Sequence, residues 1–548
     1  MQLDFNPANG QFVLKVPRLE GDPMLYVREY GMDFFAGSPA NAAILSTKER
    51  YCAASFWHCA TERAKAQLID IVPRIEKSWA PSSDRHIDVP ADKELWPFQR
   101  ASADYLLDVD NGLDSDQPGL GKTPTAIAIA NEIQAKRVLV VCPASIRHQW
   151  QNMVTAWSTD KRKHQLGFFS LIKSSRRGVD NKAPWTIVSW ELVRSPGIWR
   201  ALAKLWFDLL ILDEAHYAKR GTTQRTRSIF GGGENPIADP LLSRAKKVVA
   251  LTGTPLPNRP LEAYTLSRGL CFDAVDFMSQ DAFEARFNHI DLTFNRDGKV
   301  VDKDEYTGRE PELQNRLRAN YMVRHLKREV MPQLHMPVYD LVRLEETAMV
   351  KAALAAEKLL DIDPSKFTGR NAETLGHIAE ARRLMGIAMA PQIGDYIDML
   401  LEGGEEKLVV FAWHIAVMNI LEERLAKWNV LRVDGRTSAL AKAMKVDKFR
   451  LDARYHVILG NVLTLGTGTD GLQEVASHAL LAEPDWVHAN NEQCFDRLDR
   501  GGQNRTVQGD IFVVPGSLSE KVLASALANA RTVHKALDRR PTDVQQYI

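Results

Sequence analysis

Hydrophobic and polar residues follow different patterns in successive parts of this 548-residue chain. Residues 1 to about 90 alternate apolar and polar positions in short runs and then show a helical spacing from Glu62 to Ile75, which predicts a small α+β module. From Leu95 onward, continuous apolar runs alternate with helical segments, as is typical of parallel strands buried on both faces of a sheet. The predicted strands are Val138–Cys142, Thr186–Trp190 and Leu209–Leu212.

The same alternation returns near the C-terminus, where Leu408–Trp413, Val430–Val433 and His456–Gly460 read as strands separated by helices. Between the two α/β units, Ala, Leu and Met recur at helical spacing, which predicts a connector that packs between lobes. The predicted domain limits are 1–90 for an accessory module, 91–340 for a first lobe, 341–400 for the connector and 401–548 for a second lobe. Substrate binding is one interpretation of the accessory module.

Charge, cysteine content and hydropathy argue against a general polycation, a secreted protein and a membrane protein. Lys plus Arg (70) nearly equals Asp plus Glu (69), so any nucleic-acid contact should be a local basic cleft. The five cysteines form no CxxC pair, which indicates reduced thiols in a cytosolic setting. Since no signal segment or membrane-length apolar run is found, we expect no membrane association.

The stretch Asp116–Thr123, D-Q-P-G-L-G-K-T, is a candidate phosphate-binding loop. Gly119 and Gly121 allow a tight turn that aims backbone N–H groups at phosphate oxygens. Lys122 would reach the β- and γ-phosphates, and the Thr123 hydroxyl would bind Mg²⁺. The strict phosphate-loop pattern has Gly where Asp116 stands, so a Gly-rich turn before a helix is the alternative.

An NTPase also needs an acidic element, and D-E-A-H begins where the apolar run Leu209–Leu212 ends. Asp213 suits outer-sphere contact with Mg²⁺, and Glu214 suits the orientation of the attacking water. His216 by itself is more often a hydrogen-bonded structural histidine.

Far downstream, Arg497 and Arg500 are three residues apart, so on a helix they would share one face and could enter a nucleotide site together. Their planar guanidinium groups can neutralise charge on a transferred phosphoryl group. A surface helix with Asp/Arg salt bridges is the alternative.

The phosphate loop, the acidic element and the arginine pair, in this order along the chain, resemble motifs of a superfamily 2 helicase-type ATPase of the Swi/Snf-related group. The usual phosphate loop of that group reads D-E-M-G-L-G-K-T. Further segments carry the resemblance: Leu95–Gln99, Val141–Ser145 with Trp150, Asp213–His216 with Lys219, Leu251–Pro255 with Asn258 and Glu262, Tyr321–Pro337, Val409–Phe411, Gly466–Leu472, Asp485–Trp486, and R-x-x-R-x-G-Q ending at Gln503. The string Leu251 to Glu262 favours the compact HARP-like (annealing helicase) branch or phage and bacterial relatives.

The resemblance implies an α/β fold with two RecA-like lobes, parallel sheets with helices on both faces, beside the small N-terminal module. It implies ATP and Mg²⁺ as cofactors, with Mg²⁺ on Thr123 and Asp213. The implied catalytic residues are Lys122, Asp213, Glu214, Arg497 and Arg500. The implied nucleotide contacts are Gln99 as the adenine reader, Gly119, Gly121, Lys122, Thr123, Gly468 and Gln503.

Several positions depart from the family pattern. Gln117 and Pro118 replace Glu and Met in the loop, where backbone amides hold the phosphates, so we expect hydrolysis to survive. Asp470 stands where Asn is usual, and His488 stands where Pro usually follows the tryptophan. These two changes affect the part of the second lobe that would couple to DNA.

Candidate nucleic-acid contacts are Ser145, Arg147, Lys219 and Thr254 in the first lobe, and Trp413, Thr469 and Trp486 in the second. At each of them a purely structural role competes with DNA binding. Thr254 and its neighbours are expected to relay lobe closure rather than touch DNA.

The expected function is ATP-driven translocation on double-stranded DNA, with remodelling or re-annealing of branched DNA. We expect a monomer in the cytosol of a bacterium or phage-infected host, or in the nucleus of a eukaryote. It should prefer duplex or forked DNA to single strands; protein partners are left open. The alternatives are a strand-separating helicase, an ATP-switched nucleic-acid clamp with little turnover, and, least favoured, a metabolic P-loop kinase.

Overall fold

The computed structural model describes residues 1–17, 27, 30, 32–35, 42–175, 178–231, 239–256, 260–287, 289–294, 300–306, 309–359, 372–466 and 468–538. Asn258, Thr467 and positions 232–238 of the Gly- and Pro-rich insertion lie outside these residues. So do positions 360–371 of the predicted connector.

The N-terminal module is a four-stranded antiparallel sheet in the order β1-β2-β4-β3. Its strands are β1 Gln2–Asn6, β2 Gln11–Pro17, β3 Asp33–Phe35 and β4 Ala42–Thr47, and its helices are Arg50–Ala54, Glu62–Ala66 and Val72–Lys77. The continuous helix predicted from Glu62 to Ile75 is two short helices, because Thr61 caps the first and Pro73 lies in the first turn of the second. The predicted α+β module is confirmed.

The N-terminal module docks on a helix of the following unit, Glu310–Asn320. Arg316 on this helix lies 2.8 Å from the Glu49 carboxylate, and the Asn315 amide donates to the carbonyl of Tyr51 at 2.8 Å. The Arg316 side chain is almost fully buried between charged partners. The module is therefore fastened to the first α/β unit by buried polar contacts.

A seven-stranded parallel sheet in the order β13-β5-β10-β9-β6-β8-β7 is the core of the first lobe. Its strands are β5 Asn111–Asp114, β6 Val138–Cys142, β7 Phe169–Leu171, β8 Trp185–Ser189, β9 Phe207–Asp213, β10 Ala245–Leu251 and β13 Met322–Val323; β11 His289–Phe294 and β12 Val300–Tyr306 form a separate antiparallel hairpin.

Both faces of this sheet are covered, because alternate residues of a strand enter different cores. In β6, Leu139 and Val141 belong to one hydrophobic cluster, and Val138, Val140 and Cys142 belong to another. The helices of the lobe are Pro97–Asp108, Lys122–Glu132, Arg147–Trp157, Trp190–Val193, Pro196–Leu202, Gln224–Phe230, Glu262–Leu270, Gln280–Phe287, Glu310–Asn320 and Lys327–Val330. Burial on two faces explains why the strands read as unbroken apolar runs.

The second lobe contains a six-stranded parallel sheet in the order β14-β19-β18-β15-β17-β16. Its strands are β14 Val338–Arg343, β15 Leu408–Ala412, β16 Leu431–Val433, β17 Val457–Asn461, β18 His478–Leu481 and β19 Gln508–Val513. Its helices are Ala348–Leu359, Ala372–Glu402, Ile415–Arg424, Ala439–Leu451, Val462–Leu465, His488–Phe495 and Leu518–Asp538. The predicted fold of two parallel α/β lobes is confirmed.

One edge strand of the second sheet comes from a segment that the sequence pattern leaves between the lobes. β14 pairs in parallel with β19 along its full length, from Val338 beside Gln508 to Arg343 beside Val513. Its residues are mostly exposed, so it lacks the apolar run that marks the central strands. The predicted limit at 340/341 therefore falls inside a strand.

The last helix, Leu518–Asp538, brings the end of the second lobe back onto the first. The Gln314 amide and the Arg318 guanidinium both donate to the carbonyl of Leu537.

Among the described residues, every helix is too short or too polar to span a bilayer.

Candidate active site between the two lobes

The phosphate loop connects β5 to the helix Lys122–Glu132, and two of its glycines occupy positions that a side chain could not share. Gly119 has φ +90°, and a Cβ there would lie 2.9 Å from the Cβ of Arg500 in the second lobe. Gly121 has φ +80°, and a Cβ there would lie 2.2 Å from the Gln99 amide nitrogen. Glycine suits the left-handed backbone at both positions, and at Gly119 it also permits the close approach of the second lobe.

Asp116, the residue that breaks the general phosphate-loop pattern, fastens the loop to the end of the first lobe. Its Oδ1 accepts from the backbone N–H of His325 at 2.8 Å and faces His325 Nδ1 at 2.9 Å, and its Oδ2 accepts from Ser102 at 2.9 Å. Burial raises the pKa of Asp116, but the His325 charge and these hydrogen bonds outweigh burial and lower the pKa overall. An Asp side chain at this position therefore braces the base of the loop.

Lys122 begins the helix after the loop, where its ammonium group donates to the carbonyls of Asp116 at 2.6 Å and Gln117 at 3.3 Å. Burial lowers the pKa of Lys122, and the nearby Asp114 and Glu214 carboxylates act in the opposite direction. Thr123 follows in the first turn and is partly exposed. A cation and a hydroxyl group thus stand at the N-terminus of a helix, which is a favourable place for phosphate.

The acidic element lies at the carboxyl end of β9. The Trp150 indole N–H donates to Asp213 Oδ2 at 2.6 Å, and the Trp190 indole N–H donates to the Asp213 carbonyl at 2.8 Å. Burial, followed by the neighbouring Glu214 charge, raises the pKa of Asp213 to about 7. Two tryptophans therefore fix both the side chain and the backbone of the residue predicted to contact Mg²⁺.

Glu214 has φ +54°, a left-handed backbone conformation that is uncommon for a residue other than glycine. His216 Nδ1 lies 3.2 Å from Glu214 Oε2 and 3.1 Å from the hydroxyl of Thr252, which follows β10. Burial raises the pKa of Glu214, but the hydrogen bond and charge of His216 outweigh it, so the pKa is lowered. His216 thus links the acidic element to the L-T-G-T-P string.

Arg497 and Arg500 converge on one carbonyl group. The Arg497 Nη1 donates to the Thr469 carbonyl at 3.1 Å, and the Arg500 Nη1 donates to the same oxygen at 3.3 Å. Both arginines lie in turns beyond the helix His488–Phe495, so the idea that they share a helical face is wrong. A shared acceptor, rather than helical periodicity, brings them together.

Lys327 links the first lobe to the turn that carries these arginines. Its ammonium group donates to Asp496 Oδ1 at 2.6 Å, to Asp499 Oδ2 at 2.7 Å and to the Asp499 carbonyl at 2.6 Å. The sequence pattern did not single out this contact, because the partners are 169 and 172 residues away along the chain.

The donor set fits a triphosphate with Mg²⁺. The buried Arg497 donates only to carbonyl oxygens in the hydrogen bonds recorded for the described residues. Burial and the adjacent Arg500 lower its pKa to about 10, although the Asp496 and Glu214 carboxylates act in the opposite direction. The Thr123 hydroxyl would be a direct oxygen ligand of Mg²⁺, and the Asp213 carboxylate would contact the ion through its bound water.

Three residues predicted to contact the nucleotide make close contacts within the protein. The Gln99 amide donates to the carbonyl of Leu120 at 2.9 Å, inside the phosphate loop. The Gln503 amide donates to the carbonyl of Ala476 at 2.9 Å. Gly468 packs on the first lobe, where a Cβ would lie 1.8 Å from the Ile146 side chain. Gln99 thus contacts the phosphate loop and Gly468 contacts the first lobe, whereas the hydrogen bond of Gln503 lies within the second lobe.

The candidate DNA contacts of the first lobe have different surroundings. Lys219 forms a 3.0 Å salt bridge with Glu262, and Arg147 donates to the carbonyls of Ala144 and Ile172. Ser145 is partly exposed. Thr254 lines a cavity between the lobes and has a buried hydroxyl without a hydrogen-bond partner among the described residues.

In the second lobe, Thr469 is buried, and its hydroxyl donates to the carbonyl of Leu465 at 2.7 Å. Trp413 is partly exposed, with the Arg382 guanidinium 5.7 Å from its ring centre. Trp486 packs against a small hydrophobic cluster around Ile378. Of these three side chains, Trp413 and Trp486 reach the surface, whereas the side chain of Thr469 is enclosed.

Comparison with known proteins places the chain among helicase-type ATPases. The chain is 29% identical over 446 residues to the SWI/SNF-related matrix-associated actin-dependent regulator of chromatin subfamily A-like protein 1 of Xenopus tropicalis, covering 79% of this chain and 44% of that protein. It is 25% identical over 493 residues to the human DNA annealing helicase and endonuclease ZRANB3, covering 86% of this chain and 44% of that protein. The chain thus spans less than half the length of these relatives.

Among solved structures, the Sulfolobus solfataricus SWI2/SNF2 ATPase core in complex with dsDNA aligns with a TM-score of 0.37 and 16% identity, covering 84% of this chain and 99% of that one. Residues 40–388 match the family model described as SNF2-related domain. Because this match covers more than half of the chain, the protein belongs to the SNF2-related family, as its ordered motifs predict.

Proposed function

We propose that this protein is a DNA-dependent ATPase that converts ATP hydrolysis between its two lobes into translocation along double-stranded DNA. The observation that carries the proposal is the contact between the phosphate loop and Arg500, where Gly119 leaves no room for a Cβ. A nucleotide site assembled from both lobes makes hydrolysis depend on their relative position.

The first lobe supplies the residues that hold and activate the substrate. Lys122 and the loop amides bind the phosphates, and Glu214, held by His216, orients the attacking water. Mg²⁺ bound through Thr123 and Asp213 supplies charge neutralisation of the phosphate oxygens.

The second lobe supplies two guanidinium groups, which stabilise the transferred phosphoryl group only when the lobes are closed. Arg497 and Arg500 both donate hydrogen bonds to the Thr469 carbonyl. When ATP is bound, they can donate to phosphate oxygens instead. Arginines of this kind accelerate phosphoryl transfer by about 10³ to 10⁵. After hydrolysis and product release, the anion that bridges the lobes is lost, and the closed arrangement is weakened.

If each lobe grips a phosphate backbone, closure and reopening move one grip relative to the other. The partly exposed candidates for these contacts are Ser145, Arg147 and Lys219 on the first lobe and Trp413 and Trp486 on the second. The preference for duplex DNA and the annealing of branched DNA are proposed by analogy with the relatives, one of which is named as a DNA annealing helicase.

The deciding experiment is an ATPase assay of the full chain with no nucleic acid, single strands, plain duplex and forked duplex, run beside Glu214→Gln. We expect duplex or forked DNA to give the highest rate and Glu214→Gln to abolish turnover while ATP binding persists. Equal rates under all four conditions would contradict the proposal.

Two alternatives are separated by strand-displacement assays. A translocase displaces the third strand of a DNA triplex without unwinding the duplex, whereas a processive helicase also releases single strands. An ATP-switched clamp would bind DNA in an ATP-dependent manner with very slow hydrolysis.

A further inference from the structure

Two histidines and a glutamate converge on one side of the second lobe, outside the proposed nucleotide-contacting and catalytic residues. His488 and Glu492 are four residues apart on the helix His488–Phe495, so they occupy one face of it. His534 comes from the last helix, Leu518–Asp538, which packs against the helix His488–Phe495. His488 is also one of the positions at which the chain departs from the family pattern, where proline usually stands.

The two imidazole rings point at the same carboxylate oxygen. Nε2 of His488 lies 3.2 Å from Glu492 Oε1, and Nε2 of His534 lies 3.8 Å from that atom. One ligand atom from each of the three residues lies within 4.8 Å of the others. In a tetrahedral zinc site, ligand atoms about 2.0 to 2.2 Å from the ion are roughly 3.3 Å from one another. The separation between His488 and Glu492 is already near that value, and the one between His534 and Glu492 is about 0.5 Å longer.

The orientation of His534 is fixed from behind by a carboxylate. Its Nδ1 lies 2.8 Å from Asp538 Oδ2, which leaves Nε2 to face the cluster. Metal-binding histidines commonly use their second ring nitrogen in this way, which sets the tautomer and the direction of the ligating nitrogen. Asp538 is itself held by Arg324, so the arrangement is braced from the first lobe.

Room and access for a metal with a water ligand are present. Glu492, His534 and Asp538 line a cavity of about 840 Å³ between the lobes. The side chains of His488, Glu492 and His534 retain 19%, 38% and 47% of their exposure, so an ion can enter from solvent. Three protein ligands would leave a fourth tetrahedral position for water.

We propose that His488, Glu492 and His534 form a zinc site that fastens the last helix onto the helix leading to Arg497. Two imidazole nitrogens and one carboxylate oxygen suit Zn²⁺, whereas Mg²⁺ and Ca²⁺ prefer sets made of oxygen alone. Because the last helix also contacts the first lobe through Asp538, the bound ion stabilises the arrangement in which the lobes meet. Zinc binding by these three residues does not depend on whether the protein translocates on DNA.

The test uses metal-free full-length protein, titrated with Zn²⁺ in competition with a chromophoric chelator near neutral pH. We expect one equivalent to bind and the melting temperature to rise. His488→Gln and His534→Gln should each weaken binding at least about tenfold and remove the rise. His164→Gln, a change at an exposed histidine distant in sequence from the cluster, is the matched control and should bind as the parent does.

Co²⁺ absorption identifies the ligands independently of stability. Tetrahedral coordination by nitrogen and oxygen gives visible bands without a thiolate charge-transfer band, and these bands should be lost in both variants. Each variant is checked for a folded circular dichroism spectrum, and Glu492→Gln serves as a second test if one histidine variant fails to fold. Failure of the parent to bind Zn²⁺, equal binding by parent and folded variants, or a thiolate band would overturn the proposal.

Discussion

The ammonium group of Lys327 lies 2.7 Å from the Asp499 carboxylate, and this buried pair joins the end of the first lobe to the arginine-bearing turn of the second. Asp496, 2.6 Å away, completes the contact. The three side chains therefore set where Arg497 and Arg500 stand relative to the phosphate loop when the lobes meet.

Lys327→Met should lower kcat for ATP hydrolysis about 10- to 100-fold while nucleotide affinity changes little. The reason is that two carboxylates lose their buried partner, and breaking such a pair costs about 3 to 5 kcal/mol, part of which disfavours the closed arrangement. Steady-state kinetics and binding of a fluorescent nucleotide measure the two quantities, and Lys161→Met, at an exposed lysine, is the control. An unchanged kcat would show that Lys327 does not position the arginines.

Arg500→Ala should leave ATP binding nearly intact and reduce turnover by about 10³ or more. The guanidinium group is held on a carbonyl oxygen in the second lobe, so its effect should appear mainly in the transition state. Nucleotide affinity and single-turnover hydrolysis are measured side by side. Loss of nucleotide affinity equal to the loss of rate would place Arg500 outside this role.

Asp470→Asn should raise the ATPase rate measured without DNA by about two- to fivefold. Asp470 Oδ1 accepts from Arg500 Nη1 at 3.1 Å, so this carboxylate would compete for the arginine with the phosphate that we propose it binds. The pair is partly exposed, so we expect its contribution to be no more than about 1 kcal/mol. A rate at or below that of the parent would contradict this competition.

Trp150→Phe should raise the Mg²⁺ concentration needed for half-maximal ATPase activity by about 10- to 100-fold, the range found when an outer partner of a metal ligand is removed. The indole N–H fixes the Asp213 carboxylate at 2.6 Å, and phenylalanine keeps the packing without the donor. Trp206→Phe, at an indole that is 60% exposed, should behave as the parent does. The same Mg²⁺ dependence in both variants would argue against orientation by Trp150.

His325→Gln should lower the melting temperature more at about pH 6 than at about pH 9. Burial lowers the pKa of His325, but the Asp116 charge and hydrogen bond outweigh it and raise the pKa above its ordinary value. Stabilisation by a group with a raised pKa is complete below the unfolded value, about 6.5, and is lost as pH rises through the folded value. The lowered pKa of Asp116 keeps the carboxylate charged across this range.

Thermal melts of the parent and His325→Gln at the two pH values provide the measurement. Below the ordinary Asp pKa of about 3.9, the contribution of Asp116 falls as pH approaches its lowered folded value, so the comparison stays above that region. A difference between parent and variant that grows toward alkaline pH would show that the charged pair does not stabilise the fold.

The chain by itself determines the elements and the chemistry of each half site. Val138–Cys142 is a strand with the bounds that its apolar run predicts, because burial on two sheet faces leaves no polar position inside the run. Asp116–Thr123 and Asp213–Glu214 are recognisable for a similar reason, since each motif is a local backbone turn with side chains that must be neighbours in sequence.

Only the tertiary structure decides which distant groups meet. Asp116 and His325 are 209 residues apart, Lys327 and Asp499 are 172 residues apart, and neither contact leaves a periodic pattern in the sequence. The exposed strand β14 joins the second sheet through backbone hydrogen bonds, which nearly any side chains allow. Local sequence therefore determines strands, turns and motifs, whereas the closed site depends on buried charges that become partners only when the two lobes pack together.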